Sequence, residues 1–530
     1  MKIKNLIYTA TLTAILIGAG MGCSKDKFDI NANPDDVTDV SVSASVLLPG
    51  ALQATSTNIA AEYWFLEWWM GHGARSGSYQ SLNEEETYKF TNDFHAGTTR
   101  ESGIWNGLFA NANNYQLMIN KAVETGAGTY EAIGRIMKSH NFQMLTDIYG
   151  NIPYSEAFKG TATPTPKYDK AVDIYNGIFA DLDAAIALLQ DAVATDPAKN
   201  PDIATSDLVY GGDPTLWIKF ANTLRLRMLV HMHNGIAAQT VAPGVDIAAQ
   251  VAKIDMSIGF LGAGESAHLN PGFTGTKPQP YYRFYNTSEA GSGSQRDHLR
   301  ASEYAIDYYG WDGDPRVSRF YTAPAGGHKG IPFGTPAGVG VPIGDELSNI
   351  RGIGYSPNAA NSRAWILTSV ESLFLQAEAR ERGILTSGPT AKELMQAAVR
   401  ESFVWLDLTA AQADTYMTAN ADYPDVDYDA PALGAGLEPG GLYTILSQKW
   451  FALNMIAPYE LWTDWRRTDI VYGEGGGFDP GPTISVDPNA GDVIPVRLFY
   501  PQNEYNYNAA NVGAEGTINV LTGKLFWDLN

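Results

Sequence analysis

The stretch FQMLTDIYGNIPYSEAF, residues 142–158, contains a helix ending followed by a turn. Apolar side chains recur at helical spacing in its first half, at Phe142, Leu145, Ile148 and Tyr149. Gly150 follows where helices commonly end through a left-handed residue, and Pro153 prevents the helix from resuming. The stretch therefore predicts the end of an amphipathic helix and a turn that redirects the chain.

Helical periodicity extends on both sides of this stretch and arranges the predicted helices in consecutive pairs. The pairs are residues 104–123 with 130–149, 169–191 with 213–234, 369–382 with 390–406, and 442–456 with 459–466. Residues 42–70 are predicted to be helical as well, with an early interruption at Pro49-Gly50. We predict a mainly α fold in which helix pairs of the tetratricopeptide type form a scaffold, although no repeat of about 34 residues is readable.

Local signals mark the ends of several of these elements. Asp169 is predicted to cap the helix at residues 169–191, and Asp213-Pro214 is predicted to begin the next one. Gly383 is predicted to end the helix at residues 369–382. Near the end of the chain, residues 493–499 have the pattern of a strand.

Residues 253–361 differ in composition from the helical segments on either side. Gly, Pro, Ser and Tyr dominate, and a helical period is visible only near residues 299–309. We predict a loop-rich insertion with short strands between scaffold segments at about residues 41–252 and 362–470, and an irregular tail over residues 471–530. Long irregular segments in folded proteins usually carry function.

The first residues predict an exported lipoprotein. Lys2 and Lys4 precede an apolar run at residues 6–20, which is too short for a comfortable membrane span and suits a signal-peptide core. Small residues then lead to Cys23, the single cysteine of the chain. The alternative is an ordinary secretory signal with an incidental cysteine. The predicted division is a signal peptide at residues 1–22, a tether lipidated at Cys23 over residues 23–40, and a single domain over residues 41–530.

Composition narrows the functional classes. The 530 residues carry a formal net charge of −22, from 36 Lys and Arg against 58 Asp and Glu, and no basic cluster stands out. An acidic protein without a basic stripe is a poor candidate for nucleic-acid binding. The 28 Tyr and 12 Trp favour either a large core or surfaces that stack on flat faces of a ligand.

Signatures of catalysis are missing from the sequence. No serine has glycine at both −2 and +2, and no HExxH occurs. His231 and His233 are two residues apart on a predicted helix, so they cannot share a zinc ion and are interpreted as surface or satisfied core residues. Gly262-Ala263-Gly264 imitates a dinucleotide-binding loop, but no clear helix follows it. We therefore predict no enzyme activity, no cofactor and no metal ion.

Acidic residues leave some alternatives open. The loop at residues 422–429 offers carboxylates to Ca²⁺ but lacks the Gly and the final Glu of an EF-hand loop, so a solvated loop is favoured. Asp312 and Asp314, which precede Arg316, allow the same two interpretations, with a turn or a helix start favoured. A carboxylate pair for glycoside hydrolysis is not singled out among so many Asp and Glu residues.

Aromatic and polar residues in the predicted loops are the candidate ligand-binding residues. They are Arg75 and Tyr79 in the first long loop, and Tyr281, Tyr282, Tyr285 and Trp311 in the insertion. Exposed Tyr and Trp suit stacking on sugar faces or peptide groups, and Arg supplies polar contacts. The alternative is that these residues attach the loops to the core. The helical residues Trp64, Trp68, Trp105 and Trp217 are predicted to belong to the core.

Six stretches resemble, in order along the chain, the SusD/RagB-like outer-membrane lipoproteins of Bacteroidetes-type bacteria. They are FDINANPDDVTDV (28–40), LTDIYGNIPYSEAF (145–158), WIKFANTLRLRMLVHM (217–232), VESLFLQAEARERG (370–383), KWFALNMIAPYELWTDWRRT (449–468) and RLFYPQNEYNYNAAN (497–511). The resemblance implies a SusD-like fold, with four tetratricopeptide-like helix pairs as a scaffold and a loop-rich, ligand-binding second half on top of it.

The same resemblance implies a partner and a role. Members of this family act as a hinged lid over a SusC-like TonB-dependent transporter, bind a nutrient that is usually an oligosaccharide and in some branches a peptide, and deliver it without covalent chemistry. The resembling stretches, including residues 142–158, are interpreted as fold-defining. Arg466-Arg467 is interpreted as a partner for helix carbonyls or a carboxylate. The alternatives are a surface glycoside hydrolase or peptidase, and an adhesive lipoprotein without a transport role.

Overall fold

Helices dominate the part of the chain that the computed structural model describes, which comprises residues 42–77, 83–95, 103–195, 200, 202–234, 240–241, 244–280, 298–338, 340–350, 362–432, 439–468 and 484–528. Its helices are α1 (Ala44–Glu62), α2 (Trp64–Trp69), α3 (Asn83–Thr87), α4 (Ile104–Thr125), α5 (Gly128–Tyr149), α6 (Ala171–Thr195), α7 (Ile203–Ser206), α8 (Pro214–Met232), α9 (Ile247–Ala252), α10 (Glu303–Trp311), α11 (Val317–Phe320), α12 (Ser369–Glu381), α13 (Ala391–Trp405), α14 (Ala410–Ala419), α15 (Leu442–Leu453), α16 (Pro458–Arg467), α17 (Gln502–Tyr507) and α18 (Ala509–Ala514). Its strands are β1 (Gly73–Arg75), β2 (Ile152–Pro153), β3 (Tyr168–Asp169), β4 (His233–Asn234), β5 (Thr240–Val241), β6 (Ala267–Leu269), β7 (Leu299–Ala301) and β8 (Ala364–Leu367). The prediction of a mainly α fold is confirmed.

The four predicted helix pairs are present as α4 with α5, α6 with α8, α12 with α13, and α15 with α16. The pairs also pack on one another, because α5 contacts α6, α8 contacts α12, and α16 contacts α8. The four helical tryptophans predicted to be internal, Trp64, Trp68, Trp105 and Trp217, are all buried. One continuous core therefore connects the pairs.

The pair formed by α4 and α5 illustrates how sequence sets close packing. Gly126 adopts a left-handed φ of 69° and reverses the chain between the two helices. A Cβ atom on Gly134 would lie only 2.8 Å from Cγ1 of Ile119, so glycine is what allows α5 to approach α4 here.

The stretch at residues 142–158 forms the predicted helix end and turn. Helix α5 ends at Tyr149, and Gly150 follows with a φ of 80°. Pro153 then lies in the short strand β2, which pairs antiparallel with β3 through Pro153 opposite Tyr168. The turn therefore returns the chain to α6, the first helix of the second pair.

Asp147, within this stretch, is a fully buried carboxylate that gathers donors from distant parts of the chain. Its donors from distant segments are the Tyr175 hydroxyl, Trp527 Nε1 at 2.8 Å, and the Tyr459 hydroxyl at 3.0 Å, and His231 Nδ1 lies 3.1 Å away. Gln143 Nε2, one turn earlier in α5, donates as well. Burial by itself would raise the pKa of Asp147, but His231 and these hydrogen bonds lower it below the ordinary value. The buried charge of Asp147 is thus compensated by groups from four separate segments.

Buried ion pairs fasten the last scaffold helix to its neighbours. Arg467 in α16 pairs with Glu378 in α12 at 2.7 Å and also with Asp464. Arg466 Nη1 donates to the main-chain oxygen of Asp147 at 2.6 Å. The interpretation of Arg466-Arg467 as partners for a helix carbonyl and a carboxylate is therefore confirmed. His231, 0% exposed between Asp147 and Glu460, is a satisfied core residue as predicted.

Several local predictions hold and others are wrong. Asp213 caps α8 by accepting from the Thr215 and Leu216 amides, and Gly383 follows α12 with a φ of 72°. Asp169 does not cap α6. Its carboxylate instead accepts from the Tyr154 and Ser155 amides, and Asn151 Oδ1 accepts from the Ala171 amide at the start of α6.

Two further expectations are corrected near the ends of the chain. Helix α1 runs through Pro49 without a break, because Leu48, Ala51 and Leu52 are buried and hold this turn against the core. Residues 493–499 form no strand. Their amides make single bonds to separate partners, from Val496 to the Val520 oxygen and from Leu498 to the Ile148 oxygen, rather than a ladder.

Residues 253–361, the predicted insertion, are connected to the neighbouring segments by short antiparallel strand pairs. Strand β7 pairs with β1, with Ala301 opposite Gly73, and β6 pairs with β8, with Leu269 opposite Ala364. The helix predicted near residues 299–309 begins later than predicted, at Glu303, because residues 299–301 form β7.

Among the helices described, none is both long enough and apolar enough to cross a lipid bilayer.

Candidate ligand-binding site

The candidate site lies where the insertion leaves β7 and forms α10. The Ser302 amide donates to the His72 oxygen at 3.2 Å, and the Glu303 amide donates to the Ile331 oxygen at 3.0 Å. Both bonds are made by the residues at which the strand becomes the helix. The start of α10 is therefore fixed by its main chain to the scaffold at His72 and to a neighbouring segment of the insertion at Ile331.

Three aromatic residues share one face of α10. Tyr304, Tyr308 and Trp311 are separated by four and three residues, the spacing that aligns side chains along a helix. The ring centroids of Tyr304 and Tyr308 lie 4.6 Å apart. Trp311 is 76% exposed, while both tyrosines are half-buried. We call these three residues the aromatic stripe, and its length along the helix is about 10 Å.

A buried tryptophan supports the first part of the stripe. The ring centroid of Trp450 in α15 lies 6.0 Å from that of Tyr304 and 6.1 Å from that of Tyr308. Trp450 Nε1 donates to the Met70 oxygen at 2.9 Å, so the supporting ring is held by hydrogen bonding as well as by packing. The two tyrosines consequently rest on the rigid core rather than on a loop.

Asp312 fixes the other end of the stripe. Its carboxylate accepts from the Tyr416 hydroxyl at 2.5 Å, and its main-chain oxygen accepts from Asn420 Nδ2 at 2.9 Å. Burial and the nearby carboxylate of Asp314 raise the pKa of Asp312 to about 8. The backbone next to Trp311 is thus held by α14, although the Trp311 ring itself projects into solvent.

The turn after Asp312 is held by a buried ion pair. Arg316 binds Asp314 through Nη2 at 2.6 Å and reaches Ser402 Oγ at 3.0 Å and Gln448 Oε1 at 2.8 Å. The carboxylate of Asp314 and nearby groups raise the pKa of Arg316 against the effect of burial. The sequence interpretation of this segment as a turn that begins a helix is confirmed, since α11 starts at Val317.

The stripe offers a stacking surface with a polar acceptor beside it. Asp307 lies three residues after Tyr304 and four before Trp311, and it is exposed. Aromatic faces bind the apolar faces of sugars or peptide groups, and a carboxylate accepts hydrogen bonds from hydroxyl or amide donors. The arrangement suits recognition of a neutral, hydroxyl-rich ligand.

Arg75, a predicted ligand-binding residue, occupies a different environment from the one expected. Its assignment to a loop is wrong, because it lies in β1 and is 4% exposed. Its guanidinium forms two parallel bonds with Glu86, at 2.9 and 2.7 Å, and donates to the Thr335 oxygen at 3.2 Å. Arg75 therefore joins β1 to α3 and to the chain at Thr335, a structural role of the kind considered as the alternative for the candidate residues.

Of the other predicted site residues, only Trp311 lies within the part of the chain that the structure describes. Trp311 is at the exposed end of α10, about 12 Å along the helix from its first residue. Tyr79, Tyr281, Tyr282 and Tyr285 lie outside the described residues, as does Cys23. Two described residues next to these segments are in contact. The amide of Ser76, which precedes Tyr79, donates to the main-chain oxygen of His298, which follows Tyr285, at 2.6 Å.

Acidic and histidine groups elsewhere show no metal-binding arrangement within the described ranges. In the acidic segment at residues 422–429, Asp427 accepts from the amides of Asp422 and Asp429, and Asp429 pairs with Lys392. These carboxylates stabilise turns and a surface ion pair.

A family model described as "Starch-binding associating with outer membrane", SusD-like_2, matches residues 37–501. The match spans most of the chain. This chain belongs to the SusD-like family. The recognition based on six sequence stretches is confirmed.

Solved structures of SusD-like proteins share the fold. A chitin-binding SusD homologue from Flavobacterium johnsoniae aligns with a TM-score of 0.67 at 21% identity, over 91% of this chain and 99% of that one. A SusD homologue from Bacteroides uniformis aligns with a TM-score of 0.69 at 22% identity, over 91% and 99% of the two chains. A SusD/RagB family protein from Bacteroides thetaiotaomicron aligns with a TM-score of 0.69 at 21% identity, over 92% of this chain and 100% of that one. Among curated proteins, none matches this SusD-like chain significantly.

Sequence reasoning missed Tyr304, Tyr308 and Asp307. The signal was available, because Tyr304, Tyr308 and Trp311 repeat at helical spacing within a segment that already showed a helical period. Treating the insertion as loops concealed it. That Trp450 would lie beneath this helix had no sequence signal, because the two are far apart in the chain.

Proposed function

We propose that this SusD-like protein is a cell-surface lipoprotein that captures an oligosaccharide and delivers it to a SusC-like TonB-dependent transporter. The observation that carries the proposal is the aromatic stripe, a rigidly supported stacking surface that ends in an exposed tryptophan. A preformed surface loses little conformational freedom when it binds, and this favours capture of a flexible ligand.

An oligosaccharide fits the stripe better than a charged ligand. Three aligned aromatic residues offer successive stacking positions along about 10 Å, and the exposed Asp307 accepts hydrogen bonds from hydroxyl groups. The family description names starch, and one similar structure is of a chitin-binding homologue. An oligopeptide remains the other ligand class, since peptide groups also stack on aromatic rings.

We assign Trp311, Tyr304 and Tyr308 as ligand contacts, and we retain Tyr79, Tyr281, Tyr282 and Tyr285 as candidate contacts. Residues 253–361 are the proposed ligand-binding insertion of a single domain at residues 41–530. The proposal includes no bond-breaking step, cofactor or metal ion. Delivery requires only that the bound ligand be released into the transporter.

The proposed attachment to the outer membrane is through lipid on Cys23 after removal of residues 1–22. The expected result is that Cys23→Ala protein is not labelled by palmitate and is lost from the outer-membrane fraction, whereas the parent protein is labelled and retained. Palmitate labelling of the Cys23→Ala protein would exclude this attachment site.

The transport role is tested with the native lipoprotein. We expect affinity purification from detergent-solubilised outer membranes to recover a TonB-dependent barrel in stoichiometric amount. A glycan and peptide array with the purified protein would then identify the ligand class. Recovery without any barrel would exclude the lid role, and polymer degradation by the purified protein would instead favour a surface hydrolase.

A further inference from the structure

A concave surface lies on the scaffold, formed by elements different from those of the aromatic stripe. It is a cleft of about 370 Å³ between α4, α5 and the segment that follows β2. Its lining consists of Gln116, Asn120, Lys138, Phe142, Tyr154, Ser155, Ala157, Phe158 and Lys159. A volume of this size is in the range of small-ligand sites in proteins. Part of the fold-defining stretch at residues 142–158 is therefore also exposed at a cleft.

Aromatic residues of the cleft pack against one another and against the core. The buried ring of Phe142 packs edge-on against Tyr154, with centroids 4.8 Å apart, and lies 5.8 Å from the ring of Phe158. Tyr154 and Phe158 are half-buried. A Cβ atom on Gly177 would lie 2.6 Å from Cε1 of Tyr154, so the glycine in α6 provides the space for that ring.

Phe158 adopts an unfavourable backbone conformation to hold its place. Its φ is 64°, in the left-handed region that bulky residues rarely occupy. Such strain persists only when the surrounding structure enforces it, and it is concentrated at functional sites. The ring also packs 6.3 Å from Phe109, so packing supports the conformation.

Polar side chains from α4 and α5 also line the cleft. Gln116 Nε2 donates to Asn120 Oδ1 at 2.9 Å, and Lys138 Nζ donates to Gln116 Oε1 at 3.2 Å. Lys138 also pairs with Asp181 at 3.0 Å. These contacts use two of the three donors of the Lys138 ammonium group. Asn120 is exposed and lines the cleft, and its bond with Gln116 uses its oxygen rather than its NH₂ group.

We propose that this cleft is a second glycan subsite, which takes a sugar ring against Tyr154 and Phe158 and binds its hydroxyl oxygens through Gln116, Asn120 and Lys138. The inference rests on the proposed function, because it assigns a further contact to the same class of ligand. A cleft lined by both aromatic rings and polar donors suits one apolar face and one hydroxyl-bearing edge of a pyranose.

The test uses the mature protein with Trp311→Ala, which removes the exposed ring of the stripe. Binding of maltohexaose and of chitohexaose is measured by calorimetry in this background and in the parent protein. Asn120→Ala and Phe158→Gly are then added separately. Asn120 is exposed, so its substitution leaves the core intact, and glycine suits the left-handed φ at residue 158. Asn114→Ala, an exposed amide in α4 outside the cleft, is the matched control.

We expect the Trp311→Ala protein to retain weak binding of one glycan, and each cleft substitution to weaken it by about fivefold or more, with no effect of Asn114→Ala. Loss of all binding on Trp311→Ala, or residual binding that both cleft substitutions leave unchanged, would overturn the second subsite alone. If the parent protein binds neither glycan, both this inference and the oligosaccharide proposal fail.

Discussion

The hydroxyl group of Tyr416 donates to the carboxylate of Asp312 across 2.5 Å, and the two residues are 104 positions apart in the chain. The contact joins the end of α10, which belongs to the insertion, to α14 beside the scaffold pair α12 and α13. Both groups are buried. The exposed Trp311 is adjacent to Asp312, so a bond inside the protein fixes the backbone of its outermost ligand candidate.

Tyr416→Phe should lower the free energy of unfolding by about 1–3 kcal/mol, because it leaves a buried acceptor without its donor while preserving the ring. The measurement is urea denaturation followed by circular dichroism. Tyr423→Phe is the control, since Tyr423 is 38% exposed. Equal stability of the two variants would show that the Asp312 bond contributes nothing measurable.

Asp312→Asn should flatten the pH dependence of stability. The pKa of Asp312 is raised from 3.8 to about 8 in the folded protein by burial and by Asp314. The folded state therefore holds the proton more tightly, and the resulting stabilisation is full below about pH 4 and lost as pH rises through about 8. Melting temperatures at pH 5 and pH 9 should differ more for the parent protein than for Asp312→Asn. If the melting temperatures of both proteins fall by the same amount between pH 5 and pH 9, the pKa of Asp312 is not raised in the folded protein.

Trp311→Ala should weaken glycan binding without loss of stability. An aromatic stacking contact contributes about 1–3 kcal/mol by analogy with base stacking, so the dissociation constant should rise by about 5- to 150-fold. The ring is 76% exposed, and its removal leaves no cavity. Tyr507→Ala, at a residue that is 78% exposed and lies outside α10, is the control for a general surface effect. Unchanged affinity would remove Trp311 from the site.

Arg75→Ala should destabilise the protein by about 3–5 kcal/mol, because the buried Glu86 would lose its partner. Arg400→Ala breaks the exposed pair with Asp414 and should cost less than about 1 kcal/mol. The loss of stability of each variant relative to the parent protein is measured by thermal denaturation. If the two effects are equal and glycan binding falls only in Arg75→Ala, Arg75 is a ligand contact after all.

The helical scaffold could be predicted from the sequence because its information is local. Apolar spacing, the Asp213-Pro214 start and the Gly383 end each act within one or two turns of a helix. The missed helix α14 has similar local information, since Thr409 and Gln412 form a capping box. It was overlooked because its apolar face is short, with Ala413 and Tyr416 as its buried residues.

The candidate site could be predicted only in part, because its geometry depends on distant segments. Trp311 was found from residue type, yet its neighbours on α10 required the helix to be recognised. The pairing of Arg75 with Glu86, and the choice of Asn151 over Asp169 as the group at the start of α6, depend on which side chains meet in three dimensions. Local signals name suitable residues but do not select among their partners.

The donors gathered by Asp147 have a consequence for how the protein is made. They lie 28, 84, 312 and 380 residues later in the chain, at Tyr175, His231, Tyr459 and Trp527. A polypeptide that emerges amino terminus first presents this carboxylate long before its last donors exist. The first helix pair therefore reaches its final form only after residue 527 has been synthesised, and burial of Asp147 with all of these partners has to wait until then.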